Sequence, residues 1–327
     1  MDKKKTWIFS LCILGTALFL GIGAFMWKKR AAQEPARIIC IPKIIDSEND
    51  FWVQLLDGVR MAAEEYGMEL TVMAPKRETD IEEQIRMIYE AIDQKPDAII
   101  LTPSSYERTA QAVEAVCDSG IPLILMDSDV DTERKISKVS TDNIKAGRIQ
   151  GECARKYLDA DSEIVVVAHV KGSSTALERE KGLREGLGEF AGNIVETIYS
   201  DSNYEKGYER MKELLEERED ITMVIGLNEY SAVGAARAIK ALGLQERITM
   251  VGFDSSLEEI QLLEEGIFAG IVIQNPYKMG YLAVEAADHL IQGERCPLQI
   301  DSGSKLVTRE DVFSEENQKL LFLFTEE

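Results

Sequence analysis

From Arg37 onward, short apolar β-rich runs alternate with helical patterns of roughly 12–17 residues, and this alternation narrows the fold more than any other feature. RIICIP (37–42), MELTVMA (68–74), DAIILT (97–102), IPLILMD (121–127), EIVVVA (163–168), residues 194–199, ITMVIG (221–226), RITMVGF (247–253) and FAGIVI (268–273) read as strands. Helices are predicted over 51–67, 80–94, 106–118, 143–158, 176–190, 204–218, 229–242, 256–265 and 277–292. The first sets Trp52, Leu55, Leu56, Val59, Ala63 and Tyr66 on one face and stops at Gly67. IPLILM and EIVVVA are continuously apolar, as parallel strands covered on both faces must be. Regular βα alternation builds open, doubly wound sheets. Roughly ten units are too many for one small sheet or for a closed eight-unit barrel. Residues 128–141 interrupt the alternation, as a crossing between lobes would. The expectation is an α/β protein of two Rossmann-like doubly wound lobes.

Ahead of these lobes, TWIFSLCILGTALFLGIGAFMW (6–27) carries no charge. As a helix it would reach about 33 Å at ~1.5 Å per residue, enough to cross a bilayer core. KKK precedes it and KKR follows, so counting bases does not orient it. It ends in Phe25-Met26-Trp27, which makes a poor cleavage site. Leu11 before Cys12 is too large for a lipoprotein signal. Residues 1–30 are expected to be an uncleaved, single-pass signal anchor at the cell membrane, with 31–36 a short linker.

The net charge of −21 is uneven, because the first thirty residues are basic and the rest is strongly acidic. Such a surface repels phosphate backbones and argues against nucleic-acid binding. The five cysteines, Cys12, Cys40, Cys117, Cys153 and Cys296, match neither a disulfide framework nor a zinc site and read as small buried residues. No metal or cofactor is expected.

Ligands of open parallel sheets bind beyond the C-terminal strand ends. Lys43 stands beyond the first strand, Asp127 ends IPLILMD, Asn228 follows ITMVIG, Asp254 follows RITMVGF and Gln274 follows FAGIVI. In the first βα loop, Asn49-Asp50 precede Phe51-Trp52. Carboxylates accept bonds from neighbouring hydroxyls, and amides both donate and accept. Aromatic faces suit the apolar side of a sugar ring. Each residue alone has a plainer reading. Asp254 and Asn228 could cap the next helix, Trp52 could belong to the core, and Lys43 could be solvated. Their convergence on one edge favours a ligand site.

At these residues the chain resembles the ribose-binding-like periplasmic sugar-binding proteins, which are related to the ligand-binding cores of LacI-type repressors. The resemblance covers about 37–310 and rests on NDFWVQLLDGVRMAAEEYG (49–67), KPDAIILTPSS (95–105), GIPLILMDSD (120–129), VSTDNIKAGRIQGE (139–152), TALEREKGL (175–183), IGLNEYSAVGAARAIKALG (225–243), ITMVGFD (248–254) and IVIQNPYKMGYLAVEAA (271–287), in order. It implies a hinged pair of lobes joined by three crossovers near 141, 274 and 301. One lobe would hold 37–141 plus 275–301, the other 142–274 plus 302–327. It implies Asn49, Phe51, Trp52, Asp127, Asn228, Asp254 and Gln274 around a ligand in the cleft. Ser128 and Leu177 stand where ribose binders keep arginines, and Arg179 looks structural. Losing two guanidinium forks argues against simple pyranose recognition. Lys43 and Ser128 then join the candidate site. The Pro42-Lys43 pair is similar to the autoinducer-2-binding branch, so a modified or linear sugar-like ligand fits.

The resemblance implies a monomeric, extracytoplasmic solute-binding protein that serves an ABC permease. The alternative is a tethered sensor presenting its ligand to a chemoreceptor or histidine kinase. Catalysis is not expected. No nucleophilic triad or phosphate loop is apparent, and the two histidines, His169 and His289, form no metal cluster. A repressor would carry a helix-turn-helix where the apolar run stands.

Overall fold

The computed structural model describes residues 34–321. The predicted anchor lies outside them. Among the described residues no helix is long and apolar enough to cross a membrane.

The strands are β1 (Arg37–Ile41), β2 (Glu69–Val72), β3 (Ala98–Leu101), β4 (Leu123–Met126), β5 (Ser137–Ser140), β6 (Glu163–Ala168), β7 (Ile194–Tyr199), β8 (Ile221–Gly226), β9 (Thr249–Phe253), β10 (Phe268–Gln274), β11 (Gln299–Asp301) and β12 (Ser304–Val307). The helices are α1 (Asp50–Glu65), α2 (Ile81–Gln94), α3 (Ala110–Ser119), α4 (Asn143–Arg155), α5 (Ser174–Leu187), α6 (Tyr204–Glu217), α7 (Glu229–Ala241), α8 (Leu257–Glu264), α9 (Pro276–Ile291) and α10 (Glu315–Leu321). They build two lobes, each a six-stranded sheet with flanking helices. The strand orders are β11-β5-β4-β3-β1-β2 and β12-β10-β9-β8-β6-β7. All pairings are parallel except β10 with β12.

Burial follows the sequence pattern. Every residue of β3 and β4 is buried, whereas edge strand β2 is not. Asn49, Asp142, Ser173, Asn203, Asn228, Ser256 and Asn275 each accept a backbone N–H in the first turn of the helix that follows. The chain passes between the sheets after β5, after β10 and between β11 and β12. Side chains from these three passages meet. Thr141 Oγ1 donates to Gln274 Oε1 at 2.7 Å and lies 3.4 Å from Ser302 Oγ.

Helices α1 and α9, and likewise α4 and α5, pack backbone to backbone through glycines. A Cβ on Gly58 would sit 2.0 Å from Tyr277 O, and one on Gly147 would sit 2.2 Å from Arg179 O.

Three parts differ from the sequence reading. The interruption at 128–141 contains β5, a short strand of sequence SKVS whose polar residues hide it. Strands β11 and β12 follow the last predicted helix, and α3 begins only at Ala110. Cys40 and Cys153 are buried, but Cys117 and Cys296 are only partly so, a correction to their reading as core residues. Burial pushes the Cys40 thiol up to about 12.

Candidate functional site

One partly open cavity lies where the C-terminal strand ends of the two sheets face each other. Eight of the nine candidates line it: Lys43, Asn49, Phe51, Trp52, Asp127, Asn228, Asp254 and Gln274. Ser128 does not. It is fully buried behind the carboxylate of Asp127, to which its hydroxyl donates at 2.7 Å.

Lys43 is no solvated charge. It is 3% exposed, and its Nζ lies 3.0 Å from Asp127 Oδ2. Burial alone would raise the Asp127 carboxyl. Lys43, Arg179 and the Ser128 hydroxyl outweigh burial and hold it below the usual carboxylate range. Both bonds go to Oδ2, which leaves Oδ1 uncommitted among the described residues.

Asp254 is no cap for the helix that follows, because Ser256 and Glu259 form that capping box. Instead Asp254 Oδ2 accepts from Glu229 N at 2.8 Å, and Oδ1 accepts from Gln274 Nε2 at 2.6 Å. Burial raises its carboxyl despite Arg179 nearby. Asn228 both caps α7 and lines the cavity. Its Oδ1 accepts from Ser231 N, and its Nδ2 makes no bond among the described residues. Asn49 likewise caps α1 and donates from Nδ2 to Tyr204 Oη at 3.2 Å. Trp52 is core and cavity wall at once. It is 3% exposed, packs edge-on against Phe51 at 5.1 Å and donates from Nε1 to Glu78 Oε1 at 3.0 Å.

Five lining residues fall outside the candidate set: Glu78, His169, Thr175, Arg179 and Tyr230. Arg179, expected to be structural, is both. Its Nε donates to Asn143 Oδ1 and its Nη1 to Leu227 O, each at 2.8 Å, and its guanidinium lies 3.9 Å above the Phe253 ring. Leu177, two positions earlier, is 52% exposed and off the cavity. Helical phase is the signal that separates them: Arg179 faces α4, and Leu177 faces solvent. Glu78 lies between β2 and α2, where no strand-end rule points, and burial raises its carboxyl. Tyr230 enters from the first turn of α7, with its hydroxyl donating to Asp46 Oδ2 at 2.6 Å.

The lobes touch on both sides of the cavity. On one side Phe51 N donates to Glu229 Oε2 at 3.3 Å and Leu257 N to Asp50 Oδ2 at 3.1 Å. On the other, Tyr106 N donates to Gly172 O at 2.9 Å and Asp129 N to Ser174 Oγ at 2.7 Å. The arrangement can enclose a small molecule, offering it carboxylate and amide oxygens, N–H donors and two aromatic walls. Among the described residues no group of three or more His, Cys, Asp or Glu is placed to hold a metal ion.

The pattern of a family described as periplasmic binding protein domain matches residues 42–295. The ribose import binding protein of Haemophilus influenzae is 25% identical over 306 residues, spanning 94% of this chain and 99% of its own length. A solved structure described as a sugar transporter from Clostridium phytofermentans is 44% identical, covers 84% of this chain and 99% of its own, and superposes with a TM-score of 0.79. A carbohydrate transporter solute-binding protein from Agrobacterium radiobacter, in complex with D-arabinose, is 26% identical. It covers 89% of this chain and 100% of its own, with a TM-score of 0.83.

Proposed function

The chain belongs to the periplasmic binding protein domain family, and from that premise we propose that it captures one small, uncharged, sugar-like molecule between its lobes for an ABC importer. The observation that carries this is the cavity on which polar groups from the strand ends of both lobes converge. The cationic groups Lys43 and Arg179 stand among the carboxylates Asp127, Asp254 and Glu78. A charged guest would meet an unfavourable partner on either side, whereas hydroxyls can bond to all of them. The relatives agree in kind, being named for ribose import and D-arabinose binding. The reading is binding without chemistry, by a monomer that closes and opens as a hinge.

The same reading assigns residues 6–27 to a single membrane span that tethers the lobes on the extracytoplasmic side, within reach of a permease. The charge-free length of that run supports the tether. Membrane fractions washed with alkaline carbonate, followed by N-terminal mass spectrometry, test it. A chain released by the wash, or one beginning beyond Trp27, sinks the tether.

A thermal-shift screen of the full-length chain in detergent tests the function. Monosaccharides, polyols and autoinducer-2-like compounds should include one that raises Tm, since a ligand that binds only the folded state stabilises it by RT ln(1 + [L]/Kd). No shift with any sugar or polyol overturns the sugar reading. Chemical conversion of the bound compound overturns the non-catalytic one.

A further inference from the structure

His169 directly follows β6, lines the cavity and is 3% exposed. Its Nε2 lies 2.8 Å from Thr175 Oγ1 and 3.1 Å from Ser173 Oγ, so the cap and first turn of α5 hold the ring. Its Nδ1 is buried and has no partner among the described residues. Leaving a buried ring nitrogen without a partner is costly, and a molecule held in the cavity that His169 lines can supply one. The ring is neutral, because burial, with the charges of Arg179 and Lys43, holds its pKa well below the ordinary imidazole value.

The chemistry of that partner follows. Nδ1 of a neutral ring is a donor in one tautomer and an acceptor in the other. A hydroxyl satisfies either. A carboxylate or phosphate satisfies only the donor form and would also face Asp127, Asp254 and Glu78 in the same cavity. An ammonium would face Lys43 and Arg179. The two positions where ribose binders keep arginines offer no competing donor, since Ser128 is turned to Asp127 and Leu177 to solvent.

We infer that His169 is a specificity-determining residue, bonding through Nδ1 to one hydroxyl of an uncharged polyhydroxylated ligand, with Ser173 and Thr175 as positioning residues for the ring. This rests on the proposed function, that the cavity takes such a ligand.

Calorimetric titration of the full-length chain in detergent with D-ribose, D-arabinose, ribitol and the 2-, 3- and 5-deoxy analogues of D-ribose tests it, in wild type and His169→Leu. The expected result is a loss of roughly 5–30-fold for the best-bound compound. The analogue that lacks the matching hydroxyl should lose under about 2-fold, so the order of affinities changes. Thr175→Val should shift the same ratio in the same direction. An equal loss across all compounds, or none, overturns the inference while leaving the proposed function standing. A wild-type chain that binds none of them overturns the inference, and the proposed function falls with it when the thermal-shift screen also yields no sugar or polyol. Should His169→Leu fail to fold, nitrogen NMR of wild type labelled with ¹⁵N-histidine decides. The chain has two histidines, and His289 is exposed beside Glu294. Binding of a titrated sugar must move the His169 Nδ1 resonance, and an unmoved resonance at saturation refutes the contact.

Discussion

Asp127 and Asp254 are counterparts across the cavity. One follows β4 and the other β9, the third strands from matching ends of the two sheets. Both adopt left-handed backbone, at φ 62° and 88°. Each donates its N–H to the neighbouring strand, Asp127 to Val139 O at 2.8 Å and Asp254 to Val272 O at 2.9 Å. The same turn thus delivers a carboxylate from each lobe. Asn tolerates this backbone region as well as Asp does, whereas Ala is strained there. Asp127→Asn and Asp254→Asn should therefore fold but bind the sugar hit about 10–100-fold more weakly, the worth of a charge-assisted bond. Calorimetry on either variant checks this, and an unchanged affinity removes that carboxylate from the site.

The Lys43–Asp127 pair is a buried ion pair with side chains 3% and 5% exposed. Removing one member strands the other charge. Lys43→Met should cost about 3–5 kcal/mol in urea denaturation, and Lys43→Met with Asp127→Asn, which removes the second charge at a backbone Asn tolerates, should recover most of it. The pH sign is set by Asp127, whose folded pKa is lowered. Its contribution is complete above the unfolded carboxylate value and is lost as pH falls through the folded one. The steepest acid loss should vanish in the double variant. A Lys43→Met chain as stable as wild type contradicts the pairing.

Glu229 carries the opposite sign. Burial raises its carboxyl to about 8, with Asp254 and Asp50 adding to the effect and Tyr204 opposing it. Neighbouring Glu259 is raised as well. From the unfolded value near 4.5 to about 8 the folded chain holds the extra proton, so stability falls as pH rises through that window and levels above it. Because Glu229 Oε2 accepts from Phe51 N in the other lobe, the loss falls on the seam between the lobes. Glu229→Gln should flatten the slope between pH 5 and 8, read as Tm against pH. An unaltered slope would mean that another group titrates there.

How much of this was legible beforehand depends on where a residue's signal resides. Strand-end positions can be read from periodicity alone, and Asp127, Asn228, Asp254 and Gln274 do line the cavity. Whether a residue caps or binds cannot be read that way. Asn228 and Asn49 cap through Oδ1 alone and still line the cavity, so the two readings do not compete. Glu78 was invisible because a loop folds it back onto Trp52 Nε1, a contact 26 residues apart in sequence. The short strand β5 carries no apolar run, because three of its four residues, Ser137, Lys138 and Ser140, are polar even though it pairs on both sides with β4 and β11.

Three crossing segments converge on Thr141, whose hydroxyl serves Gln274 and lies near Ser302, while Gln274 in turn donates to Asp254. The hinge and the site therefore share one buried hydrogen-bonded chain. Thr141→Val leaves Gln274 Oε1 without that donor and should cost about 1–3 kcal/mol. It should also weaken sugar binding roughly 3–10-fold, because Gln274 no longer fixes Asp254. Denaturation and calorimetry on the same preparation check both. A stability loss with affinity untouched would separate hinge from site.

Gly147 tests whether helix packing itself positions Arg179. The α4–α5 contact leaves no room for a side chain, since a Cβ there would lie 2.2 Å from Arg179 O and 3.0 Å from its Cα, all backbone atoms that no rotamer change can clear. Gly147→Ala must push the helices apart, at about 1–3 kcal/mol for overpacking. Arg179 reaches the cavity from α5 and is anchored to Asn143 on α4, so the displacement carries the guanidinium with it. Gly188→Ala provides the contrast. It also lies near a helix end, but the nearest group is the side chain of Arg155, at 3.4 Å, and its left-handed φ of 59° charges stability through strain of roughly 1–2 kcal/mol without moving Arg179. Both variants should therefore lose stability, but only Gly147→Ala should lose sugar affinity. Equal affinities in the two would show that Arg179 holds its place independently of the packing.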